Sequence, residues 1–233
     1  MNRLDLAQST DVVDDSIVRG FITKVYGWMS LALVITGLVA ISTASNPTFM
    51  RVIFGTPLML VIIIVQLIMV VVLGAAIGKL SASVATGIFI LYSALTGVTF
   101  STLFLVYTGG SIAQGFFVTA GTFGLVSAYG YITRRDLTSI GNLLFMALIG
   151  LIAATVVNLF LRSTMLDLIV TCVGVLIFVG LIAYDTQRIK RMAISIGNDG
   201  DIQRKAAVLG ALTLYLDFIN LFLRLLRLFG KRR

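Results

Sequence analysis

The 233-residue sequence has no histidine, two prolines, one tryptophan and one cysteine. Each scarcity removes a class of function. Without histidine there is neither an imidazole metal ligand nor an imidazole general base. A lone cysteine, Cys172, builds no disulfide framework and no thiolate pair for zinc. Lying inside an apolar run, it reads as a small buried apolar residue. Charge is scarce too: Asp, Glu, Lys and Arg make up 12% of the chain against 58% hydrophobic residues, far below the roughly 25% charged residues of a soluble domain. The net charge of +8 is no nucleic-acid footprint, because the basic residues cluster beside apolar runs, where they set topology or meet lipid headgroups. No nucleophile–base pair, cofactor fingerprint or metal cluster is visible, so neither an enzyme nor a resident cofactor is expected.

What the chain does have is long apolar runs. Seven reach the roughly 20 residues that a 30 Å hydrocarbon layer requires: about 25–45, 52–77, 84–107, 112–133, 140–161, 166–189 and 206–229. The expected fold class is an all-α polytopic membrane protein, a seven-transmembrane-helix domain over residues 24–230. A polar cytoplasmic segment, 1–23, precedes it and a basic tail, 231–233, follows. The early acids Asp5, Asp11, Asp14 and Asp15 are unlike a cleavable signal peptide. The longest connection is expected at 190–204, where Asp199 and Asp201 belong to a solvated turn. Gly74 and Gly78 form a G-x-x-x-G pair, a weak signal for close helix approach.

Basic residues orient the chain. With the N-terminus inside, the inner segments carry Arg3, Arg19, Lys24, Lys79, Arg134, Arg135, Arg188, Lys190, Arg191, Arg204 and Lys205, and the outer loops only Arg51 and Arg162. That asymmetry predicts N-in. Seven crossings then put Arg224, Arg227, Lys231, Arg232 and Arg233 outside, against the same rule. A seventh segment that re-enters and returns would avoid this, but its run is unbroken, so a full crossing is favoured.

The chemistry lies in the membrane acids. In the last apolar run, Thr213, Asp217, Asn220, Arg224 and Arg227 follow at spacings of four and three, which places them on one helix face. An acid so deep costs roughly 2.5–3.5 kcal/mol and marks a functional site by default. Asp185, in Ala183-Tyr-Asp-Thr-Gln187, lies near the inner end of the sixth run, one connection away. Two carboxyls that meet in low dielectric cannot both ionise cheaply and share a proton. Such a pair is pH-sensitive, and without its proton it offers the hard oxygens that divalent cations take, so transient calcium contacts are possible there. Tyr184 and Tyr215 are supporting groups, and Lys79 is a competing cation. Blander readings stand beside this one: each acid as a hydrogen-bonded tie between helices, or Asp185 as an interfacial partner of Arg188. Arg134-Arg135-Asp136 reads as a topogenic turn with a helix N-cap.

At these residues the sequence resembles the Bax inhibitor-1 family in its bacterial YccA/YetJ-like branch. The resemblance rests on Leu214-Tyr-Leu-Asp-Phe-Ile-Asn-Leu-Phe222, Tyr184-Asp-Thr-Gln187 and Arg135-Asp136-Leu137, and covers most of the chain. It implies a bundle of six helices around a central seventh, a pH-sensitive calcium leak in the bacterial inner membrane, and a hydrogen-bonded aspartate pair at Asp185 and Asp217. It also implies an arginine latch at the inner end of the second helix, where this chain has Lys79. Lysine keeps the charge but loses bidentate geometry. Some relatives are instead similar to regulators of a membrane AAA protease. For such a role the expected contact is the N-terminal segment. The partners expected are thus the bilayer, calcium ions and, in the alternative, that protease.

Overall fold

Apolar runs with so few prolines leave the backbone to satisfy its own hydrogen bonds, and within lipid a single segment does this only as a helix. The computed structural model describes residues 3–196 and 200–233, with side chains from residue 16 onward. The elements are α1 (Arg3–Ala44), α2 (Pro47–Gly55), α3 (Leu58–Ala76), a 3-10 turn (Ile77–Lys79), α4 (Ala82–Phe100), α5 (Leu103–Val106), α6 (Gly109–Ile132), α7 (Thr138–Leu161), α8 (Thr164–Ile196) and α9 (Gly200–Phe229). Among the described residues the sole β pairing is an isolated bridge between Tyr107 and Arg232. Seven spans are long and apolar enough to cross a membrane: Ser16–Ala44, Leu58–Lys79, Ala82–Val106, Gly109–Ile132, Thr138–Leu161, Thr164–Ile196 and Gly200–Phe229. Large apolar side chains such as Leu67, Phe117, Leu125, Met146, Phe160 and Leu176 stand exposed along them. The protein is an all-α polytopic membrane protein.

The structure departs from the sequence reading in four places. The second apolar run does not form one helix from residue 52. Pro57 pushes its predecessor out of the helical region, so Thr56 is extended (φ −127, ψ 167). The Thr56 hydroxyl accepts from Leu58 N at 3.3 Å, restarting the chain as α3. The expected connection at 190–204 is mostly helix, because Arg188, Lys190, Arg191 and Met192 are good helix formers and carry α8 past its apolar run. The solvated turn expected at Asp199 lies outside the described residues, whereas Asp201 belongs to the first turn of α9 and pairs with Lys205 at 3.0 Å. Gly74 and Gly78 face open space, so their G-x-x-x-G spacing packs no helix among the described residues. Cys172 is exposed rather than buried.

The seventh segment is one unbroken helix of 30 residues, about 45 Å long at 1.5 Å per residue. It does not turn back. Beyond its end, the Thr108 amide donates to the Lys231 carbonyl at 3.1 Å and the Arg233 amide to the Val106 carbonyl at 3.0 Å, so the tail is bonded along the α5–α6 connection. This helix is also the buried one: 67% of its apolar window is inside, against 6% for α7 and 17% for α3 and α6.

The chain divides into two compact units, residues 1–102 with 189–212, and 103–188 with 213–233. In the first, α1 and α3 pack on α4. Gly97 is required there, since a side chain would strike the Thr36 carbonyl and Val39. The Thr36 hydroxyl donates to the Ser93 carbonyl at 2.9 Å. Gln66, alone in the apolar run of α3, donates to Thr96 at 3.0 Å and accepts from Thr99 at 3.1 Å. These hydroxyls tie helices within an apolar setting. The second unit holds the candidate site.

Candidate functional site

The site is built on five successive residues of α8, which dock among them on α6, α7, α9 and the α6–α7 connection. At Ala183 the backbone comes so close to Gly130 of α6 that a side chain there would strike the Ala183 carbonyl. One residue on, the ring of Tyr184 lies over Gly141 of α7, where again no Cβ would fit. Asp185 turns to α9 and its carboxyl hydrogen-bonds that of Asp217. Thr186 shares a 2.9 Å hydroxyl pair with Ser127 of α6. Gln187 reaches the α6–α7 connection twice, its amide donating to the Arg135 carbonyl at 2.8 Å and its carbonyl accepting from Leu137 N at 3.0 Å. Asp185, Thr186, Gln187 and Asp217 are all buried.

Two motifs that look separate in the sequence, Tyr184-Asp-Thr-Gln187 and Arg135-Asp136-Leu137, are thus halves of one joint. Ser127, Gly130 and Gly141 are the parts that sequence reasoning missed, and Gln187 stood in a quoted motif without its role in the joint. Two residues whose apolar neighbours make them conspicuous, Asp185 and Asp217, were visible; a glycine in a glycine-rich chain was not. The joint also accounts for Asp136. Its carboxylate accepts from Thr138 N at 2.9 Å and from the Thr138 hydroxyl at 2.6 Å. It therefore closes an Asx turn one residue outside the position of a helix N-cap, which Leu137 occupies without a side-chain bond.

A hydrogen bond between two carboxyls requires a proton between them. The Asp185–Asp217 contact therefore holds only while at least one of the two carboxyls carries a proton, and Arg188 lies 4.0 Å from Asp185 one helical turn on. Arg188 is largely exposed, so this ion pair is weak. The second oxygen of Asp217, Oδ2, is buried and has no hydrogen-bond partner among the described residues. Asp217 sits 17 residues into α9, about 25 Å at 1.5 Å per residue, and Asp185 lies 11 residues before the end of α8.

The other stripe residues diverge. Asn220 donates to the Leu216 carbonyl at 2.8 Å within its own helix, and Thr213 is half-buried one turn before Asp217. Arg224 and Arg227 lie toward the far end of α9. Arg224 packs against Gly174 and points at the Val170 carbonyl at 3.5 Å. Arg227 forms a 3.1 Å ion pair with Asp167, so these two arginines belong to the opposite end of α8 from Asp185. Tyr215 is fully buried. Lys79 is exposed at the end of the 3-10 turn, and no carboxylate pairs with it among the described residues. The cation beside Asp185 is Arg188, the bland reading of that acid, and here it coexists with the acid pair. No cluster of three metal-ligating side chains occurs among the described residues.

The sequence model of the family described as inhibitor of apoptosis-promoting Bax1 matches residues 18–233. The inner membrane protein YbhL of Escherichia coli K12 is 54% identical over 227 residues, covering 94% of this chain and 97% of its own length. A protein of Borreliella burgdorferi is 45% identical over 231 residues, 99% of each chain. One of Rickettsia prowazekii is 44% identical over 219 residues, 94% of this chain and 92% of its own.

Proposed function

The chain belongs to the Bax inhibitor-1 family, and on that premise we propose that it is a pH-sensitive calcium leak of the bacterial inner membrane, gated by the Asp185–Asp217 pair. The observation that carries this reading is the hydrogen bond between two buried carboxyls on neighbouring membrane helices. While the pair holds its proton, the bond joins α8 to α9. When the proton leaves, two like charges repel at close range in low dielectric, and the bond is replaced by a force that parts the helices. The pair is therefore made on the acid side of its titration and broken on the alkaline side. Parted carboxylates, with Asp217 Oδ2 already unpartnered, offer a passing Ca²⁺ the hard oxygens it prefers. Arg188, close to Asp185, competes for the same carboxylate once it is charged.

Calcium flux into dye-loaded liposomes, measured from pH 6 to 8, tests this. Asparagine at position 217 donates from its amide without needing a proton, so Asp217→Asn holds the pair at every pH. Its flux should stay at the acid-side level with no pH response, and Asp185→Asn should do the same. A full pH response in both variants overturns the gate, and no flux from the wild type at any pH overturns the leak. In that last case the reading left is a regulator of a membrane AAA protease, engaged through residues 1–23. Its support is the polar stretch of residues 1–23 ahead of the first apolar run, with Asp5, Asp11, Asp14 and Asp15. Deleting residues 2–15 should then abolish co-purification with the protease.

A further inference from the structure

At the end of the second unit opposite the acid pair, α6 and α9 enclose an apolar groove of about 270 Å³. Gly115 and Val118 of α6 form one wall, and Leu225, Leu226 and Phe229 of α9 the other, with Ser111 and Gln114 toward the mouth. Phe229 is 77% exposed. At this mouth the tail is folded back and fixed by its backbone, the Lys231 amide donating to the Ser111 hydroxyl at 3.0 Å and the Arg233 amide to the Val106 carbonyl. The side chains of Lys231, Arg232 and Arg233 are left exposed beside the groove. No acidic side chain pairs with them among the described residues, and in this unit no acid lies between Leu103 and Arg135 and none follows Asp217. The one carboxylate at this end of α8, Asp167, is held by Arg227.

A greasy slot opening onto fixed, uncompensated cations matches one class of molecule in a membrane. We propose that this groove binds an anionic phospholipid, with an acyl chain between α6 and α9 and the phosphate against Lys231 and Arg232. Charge complementarity commits the site to an anionic headgroup, because a zwitterionic lipid fills the same slot without using the cations. The proposal also gives a reason for cations at the end of a seventh crossing, where topology alone disfavours them. It does not depend on the gate: no residue of the acid pair takes part.

The experiment is native mass spectrometry of the full chain in detergent with equal amounts of phosphatidylglycerol and phosphatidylcholine of the same chain length. The wild type should retain phosphatidylglycerol preferentially. Lys231→Gln with Arg232→Gln should lower that preference on the order of 30-fold, at about the per-residue effect of a cation near an anionic surface. Arg134→Gln with Arg135→Gln removes the same charge from the other end of α6 and should leave the preference intact. Val118→Trp, at an exposed position, should fill the groove and release both lipids at unchanged net charge. Equal loss in the two double variants, no preference in the wild type, or lipid retained by Val118→Trp would each overturn the site.

Discussion

Gly130 and Gly141 set how closely α6 and α7 approach the acid-bearing turn of α8. A methyl group at residue 130 would meet the Ala183 carbonyl, and one at residue 141 the ring of Tyr184. Overpacking of this kind costs about 1–3 kcal/mol. Gly130→Ala is therefore expected to lower the melting temperature in detergent by several degrees, at the 2–4 °C per kcal/mol of a chain this size. Gly74→Ala faces open space and should leave it unchanged or raise it, since alanine is the better helix former. The contrast marks how far single residues can be read from sequence. The two aspartates declare themselves, because a charge inside an apolar run is expensive. The glycines do not: Gly74 and Gly78 have a packing motif and touch nothing, while Gly130 and Gly141 have none and touch everything that matters. Spacing along one helix says nothing about what the opposite helix presents.

Among the elements, the α6–α7 connection and α8 behave as one piece because Gln187 bonds both sides of the turn at Arg135 and Leu137. Replacing it with leucine leaves the Leu137 amide and the Arg135 carbonyl without this partner, at about 1–3 kcal/mol for a buried group left unpaired. Gln187→Leu should therefore loosen the connection and speed tryptic cleavage after Arg134 and Arg135, read by fragment appearance over time. Cleavage at the wild-type rate would mean that the turn is held by Asp136 and Thr138 alone. Helix existence was legible throughout from apolar length, whereas helix ends were not. α8 and α9 run past their apolar stretches because hydropathy reports where lipid is, and helix propensity does not stop there. The break between α2 and α3 was signalled by Pro57, yet the run Leu58 to Val72 is so apolar that length outweighed it.

If all seven spans cross, with α9 unbroken, the two termini fall on opposite sides of the membrane. With the N-terminus inside, as the distribution of Lys and Arg predicts, a periplasmic reporter fused after Arg233 should be active and a cytoplasmic fluorescent one dark. The reverse pattern would put the N-terminus outside, against the distribution of Lys and Arg, or require α9 to turn back, against its continuous helix from Gly200 to Phe229. The fold class was open to reading because a membrane imposes composition on everything it touches. The exact joint that holds the acid pair was not, since it joins α6, α7, α8 and α9 through contacts that no single run contains.

The depth of Asp217 has an electrical consequence. Its carboxyl stands near the middle of α9, so a proton exchanging with the pair moves through part of the transmembrane voltage. Carrying one charge across the full drop is worth about 2.3 kcal/mol per 100 mV, and a fraction of the drop would shift the balance between made and broken pairs in proportion. A pair titrated by pH alone in a vesicle at rest would thus respond to the energised state of a living membrane. If the pair gates as proposed, it would read proton-motive force rather than acidity alone.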